Sequence, residues 1–216
     1  MNTICSQLAA KSPGPGRPKD LEKRAAILAA AKQLFPDLGF EGTSMDAVAA
    51  AAGVSKLTVY SHFNDKESLF VEAVRARCEE QMPLSLFGAA LQGPVADQLM
   101  VIARAFFALI SNPQSISLHR LLTSGTNTSN KLAQMFWQVG PMQMHDGFAE
   151  FLGRASAAGS LQIEDPMRAS SQFFSLLKGE VHARLLFGCR EHLTDADIED
   201  HLKATVDVFV RAYSPR

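Results

Sequence analysis

From Thr43 to Phe70 the chain alternates helix-capping residues with apolar positions at helical spacing, and no other stretch limits the possible folds so tightly. Thr43 can cap a helix, with Asp46 three residues on completing a capping-box-like pair. Met45, Val48, Ala49 and Ala52 then form one apolar stripe. Gly53 supplies the left-handed residue that stops this helix, and Ser55 caps a second short one, Lys56 to His62. Asn64, followed by Glu67, caps a further helix through Leu69, Phe70, Ala73 and Val74. Two short helices across a tight glycine turn form a helix-turn-helix, with Val48, Val54 and Val59 as the seam. The face opposite the seam carries Lys56, Thr58, Tyr60, Ser61 and His62, which suit hydrogen bonding to DNA. Any small three-helix bundle would show similar caps, so these spacings alone leave DNA binding and plain packing both open.

Upstream, Ile27, Leu28, Ala31, Leu34 and Phe35 share a helical face that Pro36 and Gly39 are expected to end. Residues 1–19 hold three prolines and two glycines near Arg17 and Lys19 and read as a flexible basic arm. The rest reads as helices near 66–83, 94–111, 115–123, 128–138, 141–158, 166–188 and 195–213. No alternating strand pattern is present, so the fold class is all-α, in three parts: arm 1–19, helix-turn-helix domain 20–66 and helical domain 67–216. A chain of 216 residues, 47% hydrophobic, can bury one good core plus a small satellite domain. Residues 1–66 carry 8 basic against 6 acidic residues, and 67–216 carry 13 against 16, a slightly basic head on an acidic body. Cys5, Cys78 and Cys189 are scattered and read as free thiols. With no apolar run of membrane-spanning length and no signal-peptide layout, a cytoplasmic protein is expected.

The larger part is rich in aromatic and Met residues. Phe106, Phe107, Trp137, Met144, Phe148, Phe173 and Phe174 fit either a core or the wall of a ligand pocket. Arg120 and His145, with His119 and His182, could anchor a polar ligand group or serve as structural residues. No paired-His metal spacing, P-loop, nucleophile elbow or Rossmann glycine pattern occurs, so neither an enzyme, a metal nor a cofactor is expected. In the last two helices Leu177, Val181, Leu185, Val206, Phe209 and Val210 belong to apolar surfaces that either the domain's own core or a partner must cover.

The run TSMDAVAAAAGVSKLTVYSHFNDKESLF, Thr43 to Phe70, resembles the signature of the tetracycline-repressor (TetR/AcrR) family, and the likeness extends over roughly 17–75. The resemblance implies a recognition helix from Lys56 to His62 that starts at Ser55. It implies phosphate contacts from Thr43, Tyr60, His62 and Lys66, and a base or phosphate contact from Thr58. Leu57 stands where the family often has Gly; it could touch a thymine methyl or cover the seam. Arg17 and Lys19 could enter a minor groove or stay solvated. The stretch from Ser117-Leu118-His119-Arg120 through Gly140-Pro141 to Asp165-Pro166 resembles the effector domain of AefR-like regulators, several of which look like efflux-pump repressors. That likeness implies an apolar ligand cavity and a two-fold dimer built on the last two helices. The expected protein is thus a homodimeric repressor, released from a palindromic double-stranded DNA operator by a small hydrophobic effector. The alternative is a helical small-molecule-binding protein or enzyme that binds no operator.

Overall fold

The computed structural model describes residues 16–88, 93–123, 127–189 and 194–215, without the side chains of 16–18 and 127–129. Cys5 and most of the expected arm lie outside them, as does the Arg17 side chain. The described residues form helices only: α1 (Gly16–Gly42), α2 (Met45–Ala51), α3 (Lys56–His62), α4 (Lys66–Gln81), α5 (Ser85–Gly88), α6 (Val95–Ser111), α7 (Pro113–Leu122), α8 (Asn127–Val139), α9 (Pro141–Ala157), α10 (Pro166–Phe187) and α11 (Asp195–Tyr213). The all-α expectation holds, and the body helices start and stop within two residues of their expected limits. The single-turn α5 carries no sequence periodicity and was not expected.

Helix α1 departs from expectation at both ends. It begins at Gly16, inside the segment read as a flexible arm, and runs through Pro36 to a non-helical Gly39 (φ 74°). Proline removes one hydrogen bond and crowds the preceding turn. Here the rings on either side hold the helix on course: Phe35 stacks on Phe40 at 5.8 Å, and both meet the edge of Phe70.

Two apolar clusters organise the chain. The first joins α1 to α4 through Ile27, Phe35, Val48, Val59, Leu69 and Phe70. It is closed by Leu118 and Leu122 of α7 and Leu132 of α8, so packing continues past the expected boundary at 66. The second fills the body with Phe106, Phe107, Phe148, Phe151, Phe173, Leu177, Val206 and Phe209.

Helix α10 is two rods. At Gly179 the backbone takes φ 44° and ψ −155°, a region essentially reserved for glycine. The His201 ring of α11 fills the break: its Nε2 bonds the Leu177 carbonyl at 2.8 Å, and a Cβ on residue 179 would stand 3.0 Å from that ring.

Candidate functional site

The N-terminal site is built by caps. Ser44, not Thr43, caps α2, accepting from the Ala47 amide at 3.0 Å. Thr43 is buried instead, its hydroxyl 2.7 Å from the Gly39 carbonyl and 3.1 Å from that of Leu34. It ties the end of α1 to the start of α2. Gly53 turns the chain at φ 66°. Ser55 caps α3 as expected, accepting from the Thr58 amide at 3.1 Å. Asp65, not Asn64, caps α4 in a reciprocal box with Ser68.

Burial of Val59 and Phe63 fixes the roll of α3, so Lys56, Leu57, Tyr60 and Ser61 form its outward face. Leu57 is 79% exposed, which removes it from the hydrophobic seam. Thr58 is half-buried, and its hydroxyl meets that of Ser55 at 2.8 Å. Lys56 pairs with Asp46 of α2 at 2.8 Å, and that hydrogen bond holds its ammonium above the usual lysine range. Three residues expected at the phosphates face inward, the buried Thr43 among them. His62 lies 3.2 Å from the Asp20 carboxylate, close enough for an ion pair but not aligned for a hydrogen bond. Lys66 donates to the Phe40 carbonyl at 2.8 Å and sits 4.3 Å over the Phe40 ring, closing the C-terminal end of α1. Lys19 is exposed at the start of α1.

The body encloses a cavity of about 110 Å³ between α4, α6, α7, α8, α9 and α10. Phe106, Phe136, Trp137, Met144 and Phe174 supply its apolar wall, and Arg77, His119, His145 and Lys178 its polar one. Of the expected ligand residues, Phe106, Trp137, Met144, His145 and Phe174 therefore meet at one place. Phe107, Phe148 and Phe173 do not line it: they are fully packed core. Arg120 is also corrected. Its guanidinium donates to the carbonyls of Leu185 and Leu186 at 2.9 and 2.7 Å, capping the C-terminal end of α10. Arg77 and Lys178 escaped sequence reasoning; a lone lysine one turn beyond Phe174, in an otherwise apolar stripe, was the available signal.

Val74 and Leu118 face the cavity and also belong to the N-terminal cluster. Helices α4 and α7 are thus shared walls between the cavity and the helix-turn-helix. Of the expected dimer residues, four are buried and two half-buried in the single chain. Leu177, Leu185, Val206 and Phe209 are buried within the single chain, and Val181 and Val210 pack beside that core. The large apolar side chains left most open on the two last helices are Met167, Leu176, Phe187 and Val208.

His119 and His182 face each other with ring centroids 5.5 Å apart. Neither His119 Nδ1 nor His182 Nε2 has a hydrogen-bond partner among the described residues. Burial, then the neighbouring His182 and Lys178, push His119 down to about 4. The folded chain keeps this ring neutral while the unfolded chain takes up a proton below its ordinary 6.5. Stability is therefore complete above that pH and falls as pH drops toward 4, by about 3 kcal/mol through this residue. Thermal melts across that window should show the loss, and His119→Gln should flatten the profile. Among the described residues no group of three or more His, Cys, Asp or Glu could hold a metal ion, and no single helix is long and apolar enough to cross a membrane.

A capped helix-turn-helix on an all-helical, cavity-bearing body defines a class of bacterial transcription regulator. Residues 27–73 match the pattern of bacterial regulatory proteins of the tetR family, and residues 97–215 that of the AefR-like transcriptional repressor C-terminal domain. The chain belongs to the TetR family, whose members are transcriptional regulators rather than enzymes. The regulatory protein RaaS of Mycobacterium tuberculosis is 31% identical over 166 residues, which are 76% of this chain and 71% of RaaS. The flavonoid-responsive regulator FrrA is 35% identical with a TM-score of 0.69, covering 90% of this chain and 98% of FrrA. A TetR-family regulator of Mesorhizobium loti is 28% identical with a TM-score of 0.76, covering 91% and 99%. Other curated relatives match over shorter spans, 39% and 26% of their own lengths.

Proposed function

We propose that the chain is a homodimeric, effector-responsive repressor working in the bacterial cytoplasm, with α3 of each copy in a major groove of a palindromic operator. The observation that carries this reading is the outward face of α3: Lys56, Leu57, Tyr60 and Ser61 stand clear of the core on a short helix whose seam is buried. One such helix offers few base contacts, and a two-fold pair doubles them. Leu176 and Phe187 of α10 and Val208 of α11, with the exposed Ala204 and Ala212 beside Val208, supply an apolar face for that pairing. The cavity suits a small, largely apolar or aromatic effector. FrrA is a flavonoid-responsive regulator, which is consistent with an aromatic ligand here. Because α4 and α7 wall both the cavity and the helix-turn-helix cluster, an effector that prefers one setting of these helices shifts the population away from the DNA-competent spacing.

Fluorescence anisotropy with the intergenic DNA beside its gene, across a salt series, tests the reading. Lys56→Ala should lower the slope of log affinity against log salt by about one. Tyr60→Phe should weaken binding to all sequences alike. Lys66→Ala should act chiefly on thermal stability, since its ammonium is spent on Phe40. A salt slope unchanged in Lys56→Ala would remove α3 from the phosphate backbone.

A further inference from the structure

The cavity wall is chemically one-sided. Its charged residues are Lys178 and Arg77, and it contains no Asp or Glu. Arg77 has a polar neighbour, Asn112 Oδ1 at 3.4 Å, and feels the charge of Glu80. Lys178 has neither an ion pair nor a hydrogen bond among the described residues. It is half-buried on α10, one turn beyond Phe174. Its positive charge lowers the pKa of His119, His145 and His182 alike, and His119 and His145 line the same cavity. His145 Nδ1 is occupied by the Ser170 hydroxyl at 3.2 Å, whereas His119 Nδ1 is unpartnered.

Burying an ammonium without a counter-charge is costly, and proteins usually pair it or neutralise it. Burial lowers the Lys178 pKa and the His119 pKa alike. The partner missing from the wall is an anion. In the same wall, Phe106, Phe136, Trp137, Met144 and Phe174 present flat and polarisable surfaces. We infer that the cavity takes an aromatic weak acid as its anion, a carboxylate or phenolate oxygen resting on Lys178 Nζ and the ring lying among these five side chains. This rests on the effector-cavity reading above and specifies its ligand class. His119, neutral, offers a second hydrogen bond to the same oxygen centre.

The test compares two probes of equal shape and different charge, 2-naphthoate and 2-naphthamide, on the full chain at neutral pH. Titration calorimetry gives affinity, and emission of Trp137, the only tryptophan and a residue of the cavity wall, reports occupancy of that site. The naphthoate should bind about tenfold tighter or more, as for a charge-assisted hydrogen bond. Lys178→Met should erase that preference while leaving the amide's affinity in place, and Lys178→Arg should retain it. The methionine variant removes an uncompensated charge from the interior and should melt no lower than wild type; if it fails to fold, Lys178→Gln takes its place. Equal binding of the two probes, or a preference that survives loss of the lysine, overturns the anion inference while a Trp137 response keeps the cavity as a ligand site. If neither probe binds or moves Trp137 emission, the cavity reading falls and the inference with it.

Discussion

Phe148→Ala is expected to destabilise the chain by about 3–5 kcal/mol, lowering Tm by roughly 6–20 °C. The ring is fully buried on α9, with the rings of Phe173, Phe174, Phe151 and Phe87 at 4.8, 5.0, 5.7 and 5.9 Å. Four aromatic rings grouped around Phe148 collapse poorly when it is cut away, because flat, rigid side chains cannot flow into the hole. Phe174 lines the cavity and Phe148, in contact with it, does not, so the empty volume would open beside the pocket wall. Differential scanning calorimetry gives the magnitude. A variant that melts like wild type yet binds effector differently would move Phe148 from core to pocket lining.

Two adjacent positions on α11 should respond in opposite ways. Phe209 is 1% exposed, with the Tyr213 ring at 4.8 Å and the Phe173 ring at 4.9 Å. Phe209→Glu puts a carboxylate into that apolar contact at a cost of several kcal/mol (roughly,), enough to prevent a stable fold. Val208, one residue earlier and about 100° round the same turn, is 54% exposed. Val208→Glu should leave circular dichroism unchanged and convert the proposed dimer to monomer in sedimentation, with operator affinity lost alongside. Intact dimers of Val208→Glu would place the pairing face elsewhere.

Much of this architecture is legible in the sequence, because helical periodicity and caps are local. The helix-turn-helix follows from Gly53, Ser55 and the Val48–Val59 seam, and the body helices from apolar spacing. Where two good capping residues stand side by side, local chemistry does not choose between them. At Thr43-Ser44 the choice is made by two carbonyls at the end of α1 that need a donor, and at Asn64-Asp65 by the reciprocal bond with Ser68. The choice between core and pairing face is likewise not a local matter. In α10 and α11 the richest stripe is the one that the chain buries itself, so a search for the strongest apolar surface finds Leu177, Leu185 and Phe209. The sparser Met167, Leu176, Phe187 and Val208 are what remain outside. Arg120 shows the same limit: a basic residue beside a presumed pocket is drawn instead to the open carbonyls of a helix that is distant in sequence.

The break at Gly179 makes the stiffness of α10 uneven along its length. An unbroken helix transmits displacement along its whole axis; one interrupted at a single residue bends there first. On one side of the joint lie Phe174 and Lys178, which face the cavity, and on the other Leu185 and Leu186, clamped by Arg120. The His201 ring is seated in the notch at that joint. On the effector reading proposed above, a molecule wedged among the cavity side chains would press on a wall able to yield at Gly179, so that its effect would be a rotation about one residue rather than a translation of the whole rod.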